Sequence, residues 1–431
     1  MTSADGRKRN LARLAAFVAG VTAIAVPVGY AGGDAYTRVD SEWYLYIAQG
    51  NTAASMHPFA ARQLGPLIIR ALAAVTQASL LHCFLLLGVV SLLATATICG
   101  WLLVRQGAGW VELAAVGGIF FWPATFGAFM LPDTFTAALL SVFLLLLWKR
   151  KYFWAICMLL PMFVERESTV LVLICLLIVG WRVLSWLERS LSVLLSVAGM
   201  YIVNLLTVHS LPNREQINPL LYMAGKMPWN FTSNVAAMGP WMSGFNGFCT
   251  TPRWMLNLPP ALQIGSLHAV GLCGWHPIWH ARVILLALCS FGLLPLITLY
   301  LACYHRQALR GREMFQRFCV VYGLVTFLMA PLFGRSMERL FLYSWPLFLI
   351  ITPVVIAQAL RGKKVAWKTL LGLHLATAWL DLLLFNYWEQ GSPVRAWGLC
   401  AVIVAVNLLA WLLLRRADRR PVGPAGALET V

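Results

Sequence analysis

Apolar runs of about 20 residues recur along this chain, and no other feature constrains its fold as strongly. A helix rises 1.5 Å per residue, so such a run crosses the roughly 30 Å of a bilayer's hydrocarbon. Runs at 11–30, 80–104, 111–131, 133–148, 152–164, 168–184, 190–209, 281–304, 317–333, 340–358, 369–386 and 396–414 predict an all-α integral membrane protein. The expectation is about 12 transmembrane helices, with 11 to 13 as the range. Of the 431 residues, 60% are hydrophobic and 11% charged, a balance outside that of ordinary soluble domains. The first run follows the basic start "GRKRNLAR". It is too long for a signal-peptide core, and "YAGGDA" is a weak cleavage site, so it is read as a retained helix.

The net charge of +17 points to nucleic acid or to membrane orientation, and the placement of the charges decides between them. With the N-terminus inside, 22 of the 33 Lys and Arg fall in inner connections such as "WKRK" and "RGKKVAW", while the acidic residues lean outward. This positive-inside bias predicts cytoplasmic N- and C-termini and attraction to anionic membrane lipid, with no nucleic-acid partner. The organisation that follows is a membrane module at 1–209 with helices 1–7, whose first outer loop is 31–79. A large extracytoplasmic loop at 210–280 comes next, then a second module at 281–414 with helices 8–12 and a cytoplasmic tail at 415–431.

The ten cysteines contain no CxxC, and no metal-ligand spacing is present. Cys249 and Cys273 share the large outer loop; an oxidising compartment would pair them, and a reducing one would leave them as thiols. That loop is rich in Trp, Asn and Gln, which suits both sugar binding and anchoring at the membrane surface. "NFT" at 230–232 matches a glycosylation sequon, a weak three-residue signal. His209, His268, His276 and His280 are expected as surface side chains.

Charge at the outer face is concentrated in three places. The first is "RVDSEWYLYIAQG" at 38–50, with Arg38, Asp40 and Glu42. Its period clusters Trp43, Tyr44, Ile47 and Ala48, so it reads as a helix lying in the interface, with Asp40 or Ser41 able to cap it. "HPFAARQLGPLIIRAL" follows at 57–72, bringing His57, Arg62 and Arg70. Arginine at membrane depth is costly and usually paired or functional. A simple Arg–Asp salt bridge that fixes the loop competes with a phosphate-binding guanidinium and a proton-accepting carboxylate.

The second place is "ERES" at 165–168, where Glu165, Arg166 and Glu167 sit between short apolar segments. They line a protein-walled cavity or form an exposed hairpin turn. The third is "FGRSMERLFLYSWPLF" at 333–348, where Arg335 and Arg339 lie one helical turn apart beside Glu338. Two cations on one face suit a phosphate; neutralisation by Glu338 is the competing account. Asp133 and Asp381 are secondary acids, expected as caps or as partners of an arginine.

"RVDSEWYLYIAQG" followed by "PFAARQLGPLIIRAL" resembles the opening of the GT-C class of polytopic glycosyltransferases. The nearest likeness is to its GPI-mannosyltransferase-related bacterial branch. The likeness covers about 35 residues. Gly50-Asn51 and "ARQLGPLII" depart from the branch's pattern, which leaves the sugar and the acceptor open. The resemblance implies a polyprenyl-phosphate-sugar donor, a hydroxyl acceptor on lipid, glycan or protein, and Asp40 as catalytic base or acceptor-positioning group. Arg62, Arg166, Arg335 and Arg339 would be the candidates for the donor phosphate. Arg38, Glu42, His57, Glu165, Glu167 and Glu338 would support them. The expected setting is a bacterial inner membrane with an extracytoplasmic site. No cofactor is read from the sequence, and a divalent metal stays open. No GxGxxG or Walker sequence occurs, which disfavours a nucleotide-sugar donor. The leading alternative is a transporter or lipid flippase, followed by a polymerase or ligase of lipid-linked glycans and a non-catalytic scaffold.

Overall fold

Backbone amides in hydrocarbon find no water, so each apolar segment must satisfy its own, and helices do this. A computed structural model describes residues 4–32, 40–119, 121–122, 129, 131–211, 219–244, 248–263, 266–311, 313–334, 337–385 and 392–419. The chain is a helical membrane protein. Among the described residues, five helices are long and apolar enough to cross a bilayer: Asp5–Val28, Leu80–Arg105, Trp186–Leu206, Met314–Phe333 and Pro393–Arg419. A bent pair, Ile278–Cys289 and Leu294–Tyr304 meeting at 75°, has the composition of a broken span or a re-entrant loop.

The first half runs α1 (Ala4–Gly32), α2 (Ser41–Ala48), α3 (Leu64–Thr76), α4 (Leu80–Arg105), α5 (Trp110–Gly117) and α6 (Asp133–Trp148). It continues with α7 (Tyr152–Cys157), α8 (Leu159–Glu165), α9 (Thr169–Gly180), α10 (Trp186–Leu206) and α11 (Pro219–Asn230). The large loop then departs from the all-α expectation. It contains β1 (Met238–Met242), β2 (Trp254–Asn257) and β3 (Ala269–Trp275), an antiparallel sheet in the order β1-β3-β2. A Cys249–Cys273 disulfide fastens β3 to the segment before β2. Two amides of this region do structural work. Asn230 Nδ2 donates to Leu332 O at 2.9 Å, and Asn234 Nδ2 donates to Pro331 O and Gly334 O. They meet carbonyls that have no partner within a helix at its C-terminal end. Asn230 is therefore buried, and the sequon reading of "NFT" does not hold for it.

The second half runs α12 (Pro277–Cys289), α13 (Leu294–Tyr304), α14 (Arg306–Arg310), α15 (Met314–Phe333), α16 (Met337–Phe341), α17 (Thr352–Ala359), α18 (Trp367–Phe385) and α19 (Pro393–Arg419). The expected single span 281–304 breaks between α12 and α13, where Gly292 takes φ +57° and Pro295 opens the second piece. His374 of α18 fills the break. Its Nδ1 accepts the Leu293 N–H at 3.0 Å, so its Nε2 carries the proton and donates to Ala115 O at 2.8 Å. A Cβ on Gly292 would overlap this ring. The expected span 340–358 also departs from one regular helix, passing through a 3₁₀ turn at Leu342–Ser344 and a π segment at Pro346–Ile351 before α17.

One large apolar core unites α1, α4, α6, α9, α13, α15 and α17. Small residues set the close approaches, as in membrane bundles generally. Gly100 faces Phe17 of α1, Gly199 faces Phe163 of α8, and Gly323 faces Leu347. Helix hydroxyls are satisfied within the bundle, Thr95 by Ser91 O and Ser141 by Ala137 O, with Thr298 and Thr352 paired at 2.7 Å. The basic connections gather at one end of the bundle, where Arg150 meets Glu313 at 2.7 Å and Lys363 Nζ donates to Asp418 O at 2.9 Å. The acidic start of α6 and the acidic end of α8 lie at the other end.

Candidate functional site

At that second end, α2 packs on α3 and α4 through Tyr44, Ile47, Ala48, Ile69 and Phe84, so the predicted interfacial helix has its apolar face buried. Asp40 precedes it, but its side chain makes no capping hydrogen bond. The carboxylate turns instead to Arg339 of α16, with Oδ2 3.3 Å from Nη2. The reading of Asp40 as a simple cap is set aside by this contact.

Arg339 reaches onward, its Nη1 3.7 Å from Asp133 Oδ2 at the start of α6. The other oxygen of Asp133 accepts from Arg166 Nη1 at 2.6 Å and from the Tyr343 hydroxyl at 2.7 Å. Arg166 also lies 4.7 Å over the Tyr343 ring. Carboxylate and guanidinium thus alternate along a line, Asp40–Arg339–Asp133–Arg166. Side-chain exposure falls along it, from 28% and 26% at Asp40 and Arg339 to 11% and 6% at Asp133 and Arg166. The line runs from the partly exposed Asp40 and Arg339 into the protein.

Arg62 forms a second arm. Its Nε and Nη2 grip Glu167 at 3.2 and 2.7 Å, and Nη1 donates to Tyr44 OH at 2.6 Å. Three of its five N–H donors are engaged and its side chain is 11% exposed, so Arg62 serves first as a structural partner of Glu167 and Tyr44. The surroundings hold Arg62 charged: burial opposes the charge, but the Glu167 carboxylate and its hydrogen bond, with Tyr44 and Asp133, together outweigh it and raise the guanidinium's pKa. Burial likewise opposes ionisation of Glu167, yet the Arg62 charge and its hydrogen bonds bring Glu167 down to about 2. Burial lifts the Tyr44 phenol to about 12 despite the Arg62 charge, so it remains a neutral hydroxyl.

Glu165 is fully buried and caps α3 from outside the helix. Its Oε2 accepts the Gly65 N–H at 2.7 Å, one of the amides with no partner inside that helix; the next residue, Pro66, has none to offer. The neighbouring bond Gln63 N–H to Val164 O, 3.0 Å, locks the same junction. Glu165 Oε1 has no hydrogen-bond partner among the described residues. It borders a slot of about 20 Å³ walled by Tyr44, Gly65, Ile69, Phe84 and Phe135, room for about one water molecule.

The remaining candidates lie elsewhere. Glu42 is exposed and accepts from Tyr46 OH at 2.7 Å, away from the cluster, so the expected supporting role does not fit it. His57 Nε2 pairs with Ser210 Oγ at 2.9 Å beside a Met56–Leu211 bridge, tying the segment before α3 to the one after α10. Arg70 is exposed and lies against Gly50. Arg38 and Arg335 fall outside the described residues, as do the side chains of Glu338 and Asp381. Asp133 is an arginine's partner, one of the two roles expected for it. The "ERES" segment is buried rather than an exposed turn at Glu165 and Arg166. Sequence reasoning missed the hydroxyls of Tyr44 and Tyr343. The only available hint was their place within aromatic runs beside charged residues.

Among the described residues no three His, Cys, Asp or Glu side chains come together as a metal-ligand set. No protein-family model, no curated protein and no solved structure matches this chain.

Proposed function

We propose that this chain is a membrane glycosyltransferase that moves a sugar from a polyprenyl-phosphate donor to a hydroxyl on lipid, glycan or protein. The reading includes about twelve bilayer crossings, cytoplasmic termini, a bacterial inner membrane and an extracytoplasmic site. One observation carries it: Asp40 stands at the more exposed end of an ion-pair line that leads into the protein, with Arg339 as its partner. The likeness of the sequence around Asp40 to the GT-C opening gives that geometry its chemical meaning. The cluster's position opposite the basic connections supports an outer site. The Cys249–Cys273 disulfide supports an oxidising compartment on the same side.

The reaction is a single displacement. The acceptor oxygen forms a bond to the anomeric carbon while the bond from that carbon to the phosphate oxygen breaks, inverting the centre. Asp40 takes the acceptor's proton, and the electron pair leaves on the polyprenyl phosphate. Negative charge grows on that oxygen, so a fixed guanidinium lowers the barrier. Arg339 is the described cation most open to the donor, and it binds Asp40 through one loose contact. A phosphate arriving at Arg339 frees Asp40 to act as base, which couples donor binding to activation. Arg166 and Asp133 hold Arg339 in place from behind. Arg62 and Glu167 fix the first outer loop against the bundle.

The test is transfer by purified protein from a polyprenyl-phosphate sugar. Asp40→Asn keeps the shape, removes the base and should slow transfer by ~10² to 10⁴, with the melting temperature unchanged. Transfer at the wild-type rate would remove Asp40 from the chemistry. Mass spectrometry of co-purified lipid should find a polyprenyl phosphate.

A further inference from the structure

At the basic end of the bundle, α9 and α10 enclose an open trough of about 500 Å³ that the transferase reading does not use. Its walls are Leu177 and Trp181 on one side and Val193, Leu194 and Val197 on the other. Residues 189, 193 and 197 follow one another at helical spacing of four, so the trough runs along α10 for about 12 Å at 1.5 Å per residue. That approaches the roughly 15 Å half-thickness of bilayer hydrocarbon.

A guanidinium closes one end. Arg189 lies 4.5 Å over the exposed Trp181 ring, which places it at the level where tryptophan meets headgroups. Its Nε makes a long contact to Ser185 O, 3.4 Å, and its terminal nitrogens have no hydrogen-bond partner among the described residues. The nearby Glu188 is engaged in the cap of α10, accepting from the Ser185 N–H at 2.8 Å and from its hydroxyl at 2.9 Å. Arg182, exposed, adds a second positive charge next to Trp181.

We infer that this trough binds an anionic phospholipid of the leaflet at the basic end, one acyl chain along the apolar wall and the phosphate on Arg189. The fit is one of chemistry. A guanidinium with open terminal nitrogens offers a two-pronged match to phosphate oxygens, and an apolar channel beneath it accepts a chain. Free phosphate would leave the channel unfilled, and a neutral lipid would leave the charge unmatched. The site stands independently of the transferase proposal and requires only that the chain spans a membrane.

The test uses the full chain in detergent, with native mass spectrometry of bound lipid after exposure to equal amounts of phosphatidylglycerol and phosphatidylcholine. Wild type should retain phosphatidylglycerol by about tenfold over phosphatidylcholine. Arg189→Gln should bring the two to parity, and Val193→Trp, which fills the trough, should reduce both. Arg306→Gln removes an exposed charge at the same end away from the trough and should leave the ratio as in wild type. The inference is overturned if Arg189→Gln keeps the wild-type ratio. It is equally overturned if Arg306→Gln lowers that ratio as far as Arg189→Gln does, because diffuse surface charge would then be the cause.

Discussion

Asp40 and Arg339 meet at 3.3 Å across 299 positions of sequence, one before the first interfacial helix and one in α16. Each is about a quarter exposed, and Arg339 is shared with Asp133, so neither is committed to the other. Arg339→Ala should raise the donor KM more than it lowers kcat if the guanidinium holds phosphate. Arg339→Lys, a point charge without the fork, should recover only part of that loss. Steady-state kinetics on the donor decide it, and an unchanged KM in both variants removes Arg339 from donor binding.

Asp133 stands between two guanidiniums, and Arg166 beside it is nearly closed to solvent. Asp133→Asn leaves a buried cation without its counter-charge, a loss of about 3–5 kcal/mol. Arg166→Met in the same background should restore much of it, since both charges are then gone. Thermal unfolding of the single and double variants reads the coupling. Additive losses would mean that the two side chains act separately.

Glu165 contributes a buried carboxylate of which one oxygen finds no hydrogen bond. Glu165→Gln keeps an acceptor for the Gly65 N–H, and burial already disfavours the charged form of Glu165, so little charge is lost near neutral pH. Unfolding should occur at the same temperature or higher. A marked fall would show that the charge itself holds α3 to α8.

The Arg62–Glu167 pair makes stability depend on acidity. Glu167 ionises at about 2 when folded, against 4.5 for a free glutamate. An acid depressed in this way stabilises the fold above its unfolded value and ceases to do so as the pH drops through the folded one. The contribution should therefore fade between pH 4.5 and about 2. The Glu167 side chain is 39% exposed, so water screens the pair and the effect is modest. Melting curves for wild type and Glu167→Gln should converge as the solution is acidified through that window. Curves that stay parallel would mean that another group controls acid sensitivity.

What the sequence determined by itself was whatever rests on local pattern. Twenty-residue apolar runs admit only helices in lipid, and the period of 41–48 buries Tyr44 and Ile47 while exposing Glu42. The same pattern could not reveal the 75° break at Gly292, the π segment after Pro346 or the sheet in the large loop. Those depend on neighbours distant in sequence, such as His374 in the break and Cys273 across from Cys249. The charged residues were visible as candidates, but their partners were not. Whether an arginine is open to a ligand or held by a carboxylate depends on which helix ends the packing brings together. Only the assembled bundle closed Arg62 onto Glu167 and left Asp40 and Arg339 partly exposed at the end of the ion-pair line.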